Sequence, residues 1–423
     1  MENFSDRTAR FFARHGFETA ETLDRESLVS AFLSEMDKGL SHEPSSLRMI
    51  PAYVRLGGKV SDRDTAVVLD AGGTNFRSAL VSGRGEIKDR LNRPMPGTRG
   101  EVGKTEFYAA FAEEVRRLRG RATVSRIGWC FSYTCEATPD LDARLLEWSK
   151  NIRAPSIVGD FVGRELVSMI GKGSAAIVND TVATLLAGKS KEGTREYGSY
   201  IGFILGTGTN AAYVEPSLGG MVVNSESGAF DKIAQSDFDR AADAKNERPG
   251  TFVFEKMIAG AYLGNVGLAL LQTAGAEGFF SSGTASALNE VSRLETIDLD
   301  DFASGRVRGD RENPLAAVFA DSGEAATARE LVFPVFARAA VLSAAQLAAF
   351  AVKSESGRDP ARPVAICADG STYYKTRTVF FPDIVRMELD RLLTSARGIH
   401  YEILPQIDDA PMVGAAMVAL QTP

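Results

Sequence analysis

The sequence predicts a duplicated α/β fold of two lobes, and three observations carry that expectation. The order strand, strand, strand, helix, strand, helix occurs twice, from residue 64 and again from residue 199. Each repeat opens with a glycine-containing turn between its first two strands. The second repeat is lengthened by helical sequence between residues 252 and 352.

Taken in order, DRESLVSAFLSEMDK (24–38) places Leu28, Phe32, Leu33 and Met36 on one helical face, with Gly39 as its stop. TAVVLD, RSALVS and GEIKDRL then read as three strands, short apolar runs bounded by Gly and Asp. KTEFYAAFAEEVRRLR (104–119) reads as a helix and VSRIGWCFS (124–132) as a strand. A helix over about 157–170, the strand AAIVN and the helix TVATLLAGKS close the first repeat. The second begins with the strands SYIGFILG, NAAYVE and GGMVVNS. Its helical region is broken by GFFSSGTASAL and by GRVRGDREN, and Pro334 kinks or starts the helix that runs through VFARAAVLSAAQLAAFAVK. The strand RPVAICADGS, the helix DIVRMELDRLL, the strand IHYEIL and the helix APMVGAAMVAL finish the chain.

Composition narrows the function. Of 423 residues, 44% are hydrophobic and 24% charged, an ordinary globular balance at a length that suits two or three domain-sized units. A net charge of -7 argues against nucleic-acid or membrane-surface partners, which need excess Lys and Arg. Cys130, Cys135 and Cys367 fit neither a zinc site nor a redox CxxC and are expected as reduced, partly buried thiols. His15, His42 and His400 are scattered, which disfavours a histidine metal site or a Ser-His triad. No stretch is expected to supply the ~20 apolar residues of a membrane span. The N-terminus lacks the apolar core of a signal peptide, so the cytoplasm is the expected location. GTRGEVGKT (97–105) imitates a P-loop, but five residues separate Gly97 from Gly103 and no strand precedes it.

The two turns are Asp70-Ala71-Gly72-Gly73-Thr74-Asn75 and Gly206-Thr207-Gly208-Thr209-Asn210. Glycine removes the Cβ that keeps backbone N–H groups from converging on an anion, and Thr and Asn add short donors. A plain hairpin explains either turn alone. Two of them at equivalent positions in two halves point to an anionic ligand held at the strand ends, in the gap between lobes. Asp70 would repel that anion and would instead meet Mg²⁺ through a water, with no direct protein ligand to the metal.

With these residues in view, the chain resembles the hexokinase family, the glucokinase-like sugar kinases of the actin/Hsp70-type ATPase superfold. LDAGGTNFRSALV resembles the family's first phosphate loop and LGTGTNAAYVE its second; NDTVATLLAG is similar to its catalytic segment. FSYTCEATPDLDARLLEWSKNI, VNSESGAF and FEKMIAGAYLGN resemble its sugar-binding segments. VSAFLSEMDKGLSHEPSSLRMIPAYV resembles its N-terminal helix and the run into the first strand, and ARAAVLSAAQLAA and ADGSTYYK fall where it has its adenine-side wall. The resemblance implies a two-lobed, duplicated RNase H-like fold. The small lobe would comprise 64–190 with 411–423, and the large lobe 1–63 with 191–410. It also implies ATP-dependent phosphorylation of a hexose, glucose first, at the 6-hydroxyl, with Mg²⁺ on the ATP, by a monomer or homodimer.

Carried over residue by residue, Asp180 falls at the catalytic base and Lys150 beside the transferred phosphoryl group. Ser132, Ser149, Lys150, Asn179, Asn210, Glu226 and Glu255 fall at sugar contacts. Asp70, Gly72, Gly73, Thr74, Asn75, Gly206, Thr207, Gly208, Thr209, Gly370 and Ser371 fall on the nucleotide side. Plainer roles compete for some of these: a helix cap for Asp180, a solvated loop for Lys150, a surface acid for Glu226. Glu255 lies among apolar residues, where an unpaired charge is costly. The chain departs from the family at Ser132-Tyr133-Thr134 (commonly Ser-Phe-Pro), Ala137 (Gln), Ser149-Lys150-Asn151 (Thr-Lys-Gly) and Ser227 (Trp). Those departures bear on sugar preference. A catalytically weak sugar sensor on the same fold is the competing function; retention of Asp180 and Lys150 counts against it.

Overall fold

The computed structural model describes residues 4–58, 60–120, 124–148, 152–190, 195–320 and 323–421. The chain opens with α1 (Phe4–Arg14), α2 (Arg25–Leu40) and β1 (Ile50–Arg55). The first repeat is β2 (Thr65–Ala71), β3 (Asn75–Ser82), β4 (Ile87–Pro94), α3 (Lys104–Arg119), β5 (Arg126–Phe131), the hairpin β6 (Thr134–Ala137) and β7 (Ala143–Glu147), α4 (Val162–Ile170), β8 (Ser174–Val178) and α5 (Asp180–Ser190). The second begins with β9 (Ser199–Leu205), β10 (Thr209–Glu215) and β11 (Met221–Asn224). Helices α6 (Asp237–Asp243), α7 (Val253–Ile258), α8 (Leu263–Ala276), α9 (Ser282–Glu290), α10 (Thr296–Ala303), α11 (Pro314–Val318) and α12 (Ala325–Lys353) intervene. Then come β12 (Val364–Asp369), α13 (Ser371–Lys375), α14 (Phe381–Leu389), β13 (Tyr401–Ile403) and α15 (Ala410–Gln421).

The duplication is exact at the level of strand order. One sheet runs β4-β3-β2-β5-β8 and the other β11-β10-β9-β12-β13, with β1 added beyond β11. In both, the first three strands are antiparallel and the last two join in parallel. The central strands are buried on both faces, so they read as nearly continuous apolar runs. On β2, Val67 and Leu69 pack outward with α3 and α4, whereas Ala66 and Val68 pack inward. The inward cluster also holds Val182, Leu185 and Leu186 of α5, Met412 and Ala416 of α15, and Tyr200 and Ala365 of the second sheet.

Helices α5 and α15 thus fill the space between the sheets. Small residues let them press close: a Cβ on Gly202 of β9 would stand 2.1 Å from the Thr181 carbonyl oxygen, and one on Gly414 of α15 would stand 1.7 Å from that of Ala183. Neither contact tolerates a side chain, since both partners are backbone. The first turn of α5 is therefore seated directly on a strand of the other repeat.

Several expectations are corrected. Gly39 lies inside the last turn of α2, not after it; its missing Cβ makes room for the Leu47 carbonyl and Met49, and the helix is capped by Ser41. Most of the GFFSSGTASAL stretch is helical, from Ser282 on, as α9, because Ser281 caps it by accepting from the Thr284 N–H. Pro334 neither starts nor ends a helix but sits within α12. That helix also passes the length and composition test for a membrane span, against expectation, with 94% of its most apolar window buried inside the protein. The strand β1 and the hairpin β6–β7 are additions. Pro51 fits β1 because β1 is an edge strand, where one face of the ladder needs no donor.

Candidate active site

In each sheet the carboxyl ends of the parallel strands gather the residues singled out from sequence. Asp70 is the last residue but one of β2, Ser132 follows β5, and Asn179 and Asp180 follow β8. Gly206 follows β9, and Asp369 is the last residue of β12, with Gly370 after it. Such edges are where open α/β sheets bind ligands.

At the first turn, Gly72 and Gly73 are partly exposed and Thr74 and Asn75 are exposed. A Cβ on Gly73 would meet no protein atom within 4 Å, so the fold itself leaves that side of the turn open. The turn is anchored from behind, where the Ala71 carbonyl accepts from the Ser132 N–H (3.1 Å) and the Thr74 carbonyl from the Met95 N–H (2.9 Å). Asp70 precedes the two glycines and is buried, and its Oδ2 accepts from Nε (2.9 Å) and Nη2 of Arg77, directly opposite on β3. Arg77 also pairs with Asp409, which Arg90 pairs in turn. One oxygen of the Asp70 carboxylate is thus held by a guanidinium.

The second turn is held by its carbonyls. Gly206 O accepts from Gly260 N–H (2.8 Å) and from the Thr372 hydroxyl (2.8 Å), and Thr207 O accepts from Ala261 N–H (3.0 Å). Peptide bonds are planar and trans here, so each fixed carbonyl turns the next N–H the opposite way. The N–H groups of Thr207 and Gly208 consequently face away from residues 260 and 261. Thr209 differs: its N–H goes to Glu255 Oε2 (2.8 Å) and its hydroxyl to Ile204 O (2.8 Å), so both donors point inward. Gly370 has φ +118°, and a Cβ there would stand 2.3 Å from Leu205 O, while Ser371 N lies 3.7 Å from the position of a Cβ on Gly206. Residues 370 and 371 therefore border the second turn. Residues 337–349, expected along the same wall, are all buried within α12.

The two turns stand on neighbouring edges. Asp369, beside Gly370, is pushed up by burial, and its charge is met by the Gly370 N–H, Gln406 and Arg77 and opposed by Asp409. Arg77, one strand from the first turn, thus faces the end of β12.

Asp180 is the first residue of α5, and the cap belongs to its neighbour. The Asn179 carbonyl accepts from Ala183 N–H (2.9 Å), and its Oδ1 accepts from the Thr181 N–H (2.9 Å) and hydroxyl (2.6 Å). Asp180 Oδ1 shares the Thr181 N–H at 2.9 Å. Opposite, Glu226 sits in the left-handed region (φ +55°) after β11. Burial first, and then the charge of Asp180, push its carboxyl up, against the pull of an Asn224 bond and Arg48. The base candidate from one repeat and a sugar candidate from the other are therefore within electrostatic reach. Cys130, buried on β5, feels both Asp70 and Asp180, which burial and those charges register by pushing its thiol up.

Asn224 was not singled out from sequence, and it completes the arrangement. Its Oδ1 accepts from Asn210 Nδ2 (2.8 Å), and its Nδ2 donates to Glu226 Oε1 (2.7 Å). Asn210 Oδ1 in turn takes the N–H groups of Ala211 (2.8 Å) and Ser227 (3.1 Å). Its signal was its place at the end of the strand GGMVVNS, two residues before Glu226. Glu255 is held by the Thr209 N–H and by the Tyr262 hydroxyl (3.3 Å). Ser227, in the position of the family's Trp, is fully buried and accepts from Gln346 Nε2 (3.2 Å). Ser149 and Lys150 lie outside the described residues.

Comparison with known proteins decides the family. One hexokinase profile matches residues 200–421, more than half of the chain, and a second matches residues 15–190. The chain belongs to the hexokinase family. It is 31% identical to hexokinase-5 of Oryza sativa subsp. japonica over 326 residues, 67% of this chain and 62% of that one. It is 30% identical to hexokinase-3 of Mus musculus over 387 residues, 83% of this chain and 41% of that one. The chain thus spans about three fifths or less of these curated relatives. Among solved structures it resembles one described as a crystal structure of hexokinase, with TM-score 0.81, 24% identity and 99% of both chains covered. It also resembles a hexokinase from Schistosoma mansoni complexed with glucose, with TM-score 0.77, 23% identity and 99% and 100% covered. A ROK family glucokinase from Streptomyces griseus in complex with glucose and AMPPNP is more distant, with TM-score 0.51, 18% identity and 85% and 100% covered. The hexokinase family member described here accordingly has the actin-like ATPase fold that its resemblance to the family implied.

Proposed function

We propose that this protein transfers the γ-phosphoryl group of ATP to the 6-hydroxyl of a hexose, glucose being the first candidate, with Asp180 as general base. One observation carries the reading: Asn179, which directly precedes Asp180 at a strand end of the first repeat, and Asn224, which is bonded to Glu226 at a strand end of the second, line one cavity. A glycine turn with an open or N–H-bearing side flanks each. Membership of the hexokinase family, and the glucose and AMPPNP in the names of two structural neighbours, agree with it.

On this reading the Asp180 carboxylate accepts the proton of the sugar 6-hydroxyl as the oxygen bonds to phosphorus and the bond to the ADP oxygen breaks. An ordinary carboxylate is a weak base, so the transfer is late, once the alcohol has acidified in a loose transition state. Asn210, Asn224, Glu226 and Glu255 supply acceptors and donors for the remaining hydroxyls. The N–H groups of Thr207 and Gly208 and the open face of Gly73 receive phosphate oxygens. Lys150 adds a point charge near the transferred group. Movement of the two lobes toward each other excludes water as a competing acceptor. Mg²⁺ would come as a companion of ATP, held chiefly by phosphate oxygens and waters. When bound, it neutralises the developing phosphate charge.

The test is ADP release with MgATP and glucose, mannose, fructose or glucosamine, for the parent and Asp180→Asn. The variant is expected to retain glucose binding and to lose about 10²- to 10⁴-fold in kcat. A variant that turns over at the parent rate removes Asp180 from the mechanism.

A further inference from the structure

We propose that a cavity beside the hexose residues receives a short N-acyl group, which makes N-acylated hexosamines part of the substrate class. The inference rests on the sugar-kinase reading above. The cavity lies where β1 of one sheet meets the β6–β7 hairpin that follows β5 of the other. Ile50, Cys135, Ala137, Ala143 and Val178 line its wall, and Asn179 and Asn224 line it too. Its volume is about 40 Å³. At about 10–15 Å³ for each water, that is room for roughly three waters, comparable to an acetyl group.

Three features fit it to that occupant. First, the wall is mostly carbon, and a dry apolar void loses dispersion contacts that an inserted methyl restores. Second, the hairpin side of the wall is made of small side chains. Ala137 stands where the family commonly has a glutamine, and Ala143 faces it across the hairpin as its register partner. Third, the cavity is continuous with the sugar residues. Asn179 directly precedes Asp180, Asn224 is bonded to Glu226, and Cys135 in the wall feels the charge of Glu226. A bare hydroxyl gains nothing from such a wall. An acyl group places its methyl there and leaves its amide N–H and C=O near two carboxamides, which donate and accept. The acyl group stays attached throughout, and the phosphoryl transfer at the 6-oxygen is unaltered.

The experiment is calorimetric titration of glucose, N-acetylglucosamine and N-acetylmannosamine into the full chain, beside the MgATP-coupled assay, for the parent and Ala137→Gln. At least one N-acetyl sugar is expected to bind within about tenfold of glucose and to be phosphorylated. Glutamine in the cavity is expected to weaken that sugar at least about tenfold more than it weakens glucose, the usual size of a pocket mismatch. Ala143→Leu serves as an independent filling variant should Ala137→Gln fail to fold. Glucose bound and phosphorylated with no binding of either N-acetyl sugar overturns the cavity's role and leaves the kinase reading intact. Equal weakening of both sugar types by the filling variants overturns it as well. Failure of every sugar to bind overturns both.

Discussion

Replacing Asn224 by alanine isolates the residue that joins Asn210 to Glu226. The change removes a neutral bond of 2.8 Å and a charge-assisted one of 2.7 Å. The first is worth about 0.5–1.5 kcal/mol net and the second about 1.5–3. Only the second orients the Glu226 carboxylate, so hexose binding should lose about 1.5–3 kcal/mol. At ~1.4 kcal/mol per tenfold, that is a Kd raised roughly 10- to 150-fold, with nucleotide affinity little changed. A second consequence follows from charge. Burial and then Asp180 push the Glu226 carboxyl up, and the Asn224 bond is the leading opposing influence. Its loss raises the carboxyl further, so a larger fraction is protonated at a given pH and cannot accept from a sugar hydroxyl. The acid limb of kcat/KM against pH should therefore move to higher pH in Asn224→Ala. Glucose titration by calorimetry and a pH series of the coupled assay measure both. Parent affinity together with an unmoved acid limb would refute the orienting role of Asn224.

Other consequences concern the scaffold. Arg338 and Asp239 form a buried bidentate pair at 2.8 and 2.6 Å, and Asp239 also closes the capping box of α6, so Arg338→Met should cost about 3–5 kcal/mol in urea unfolding at pH 7, with much of it recovered in Arg338→Met/Asp239→Asn. Burial raises the Asp239 carboxyl, but Arg338 and the Ser236 bonds outweigh it and hold it below its usual value; that stabilisation is full above the unfolded pKa near 4 and lost as pH falls through the folded one, so the gap between parent and variant should narrow in acid. Gly202→Ala sets a Cβ against the Thr181 carbonyl and should lower both Tm and kcat, because the turn carrying Asp180 has to move; an unchanged kcat in a folded variant would contradict that seating. Tyr262→Phe removes a donor to Glu255 and should raise the glucose Kd by no more than about tenfold, measured in the same titration.

Much of this site is legible from local pattern, and the rest fails for identifiable reasons. Strands such as β2 and β9 announce themselves because both faces are buried, and the two glycine turns are visible because they interrupt those runs. Helix α3 is legible to the residue, from Lys104 to Arg119. The hairpin β6–β7 is hidden because TCEA is only four residues long and its pairing slips between Thr134 and Cys135. Gly39 misleads because a helix-ending glycine and a glycine that admits a neighbouring chain look alike until Leu47 is placed against it. The Asp70–Arg77 pair needed only the hairpin register, which sets the two residues opposite each other. Asn224 and the seating of α5 on Gly202 need the second repeat placed against the first, information that no local window holds.

That dependence explains how charge is arranged where a triphosphate is proposed to lie. Asp70, Asp369 and Asp409 converge there, and a polyphosphate beside bare carboxylates is repelled. Arg77 answers Asp70 and Asp409, Arg90 answers Asp409 again, and burial keeps Asp369 toward its neutral form. The guanidiniums are thus committed to the protein's own acids and are not available as phosphate clamps. Among the described residues the backbone offers the nucleotide the N–H groups of Thr207 and Gly208, turned outward because residues 260, 261 and 372 hold the carbonyls, and the open face of Gly73. A cradle of neutral donors compensates a triphosphate only in part, and the shortfall is what a divalent cation carried by the nucleotide supplies. Loss of Arg77 would then do more than remove a salt bridge. Arg77→Met leaves Asp70 buried without its partner and restores a negative field at the cradle, so nucleotide affinity should fall more steeply than glucose affinity. Equal losses for both ligands would show that Arg77 supports only the fold.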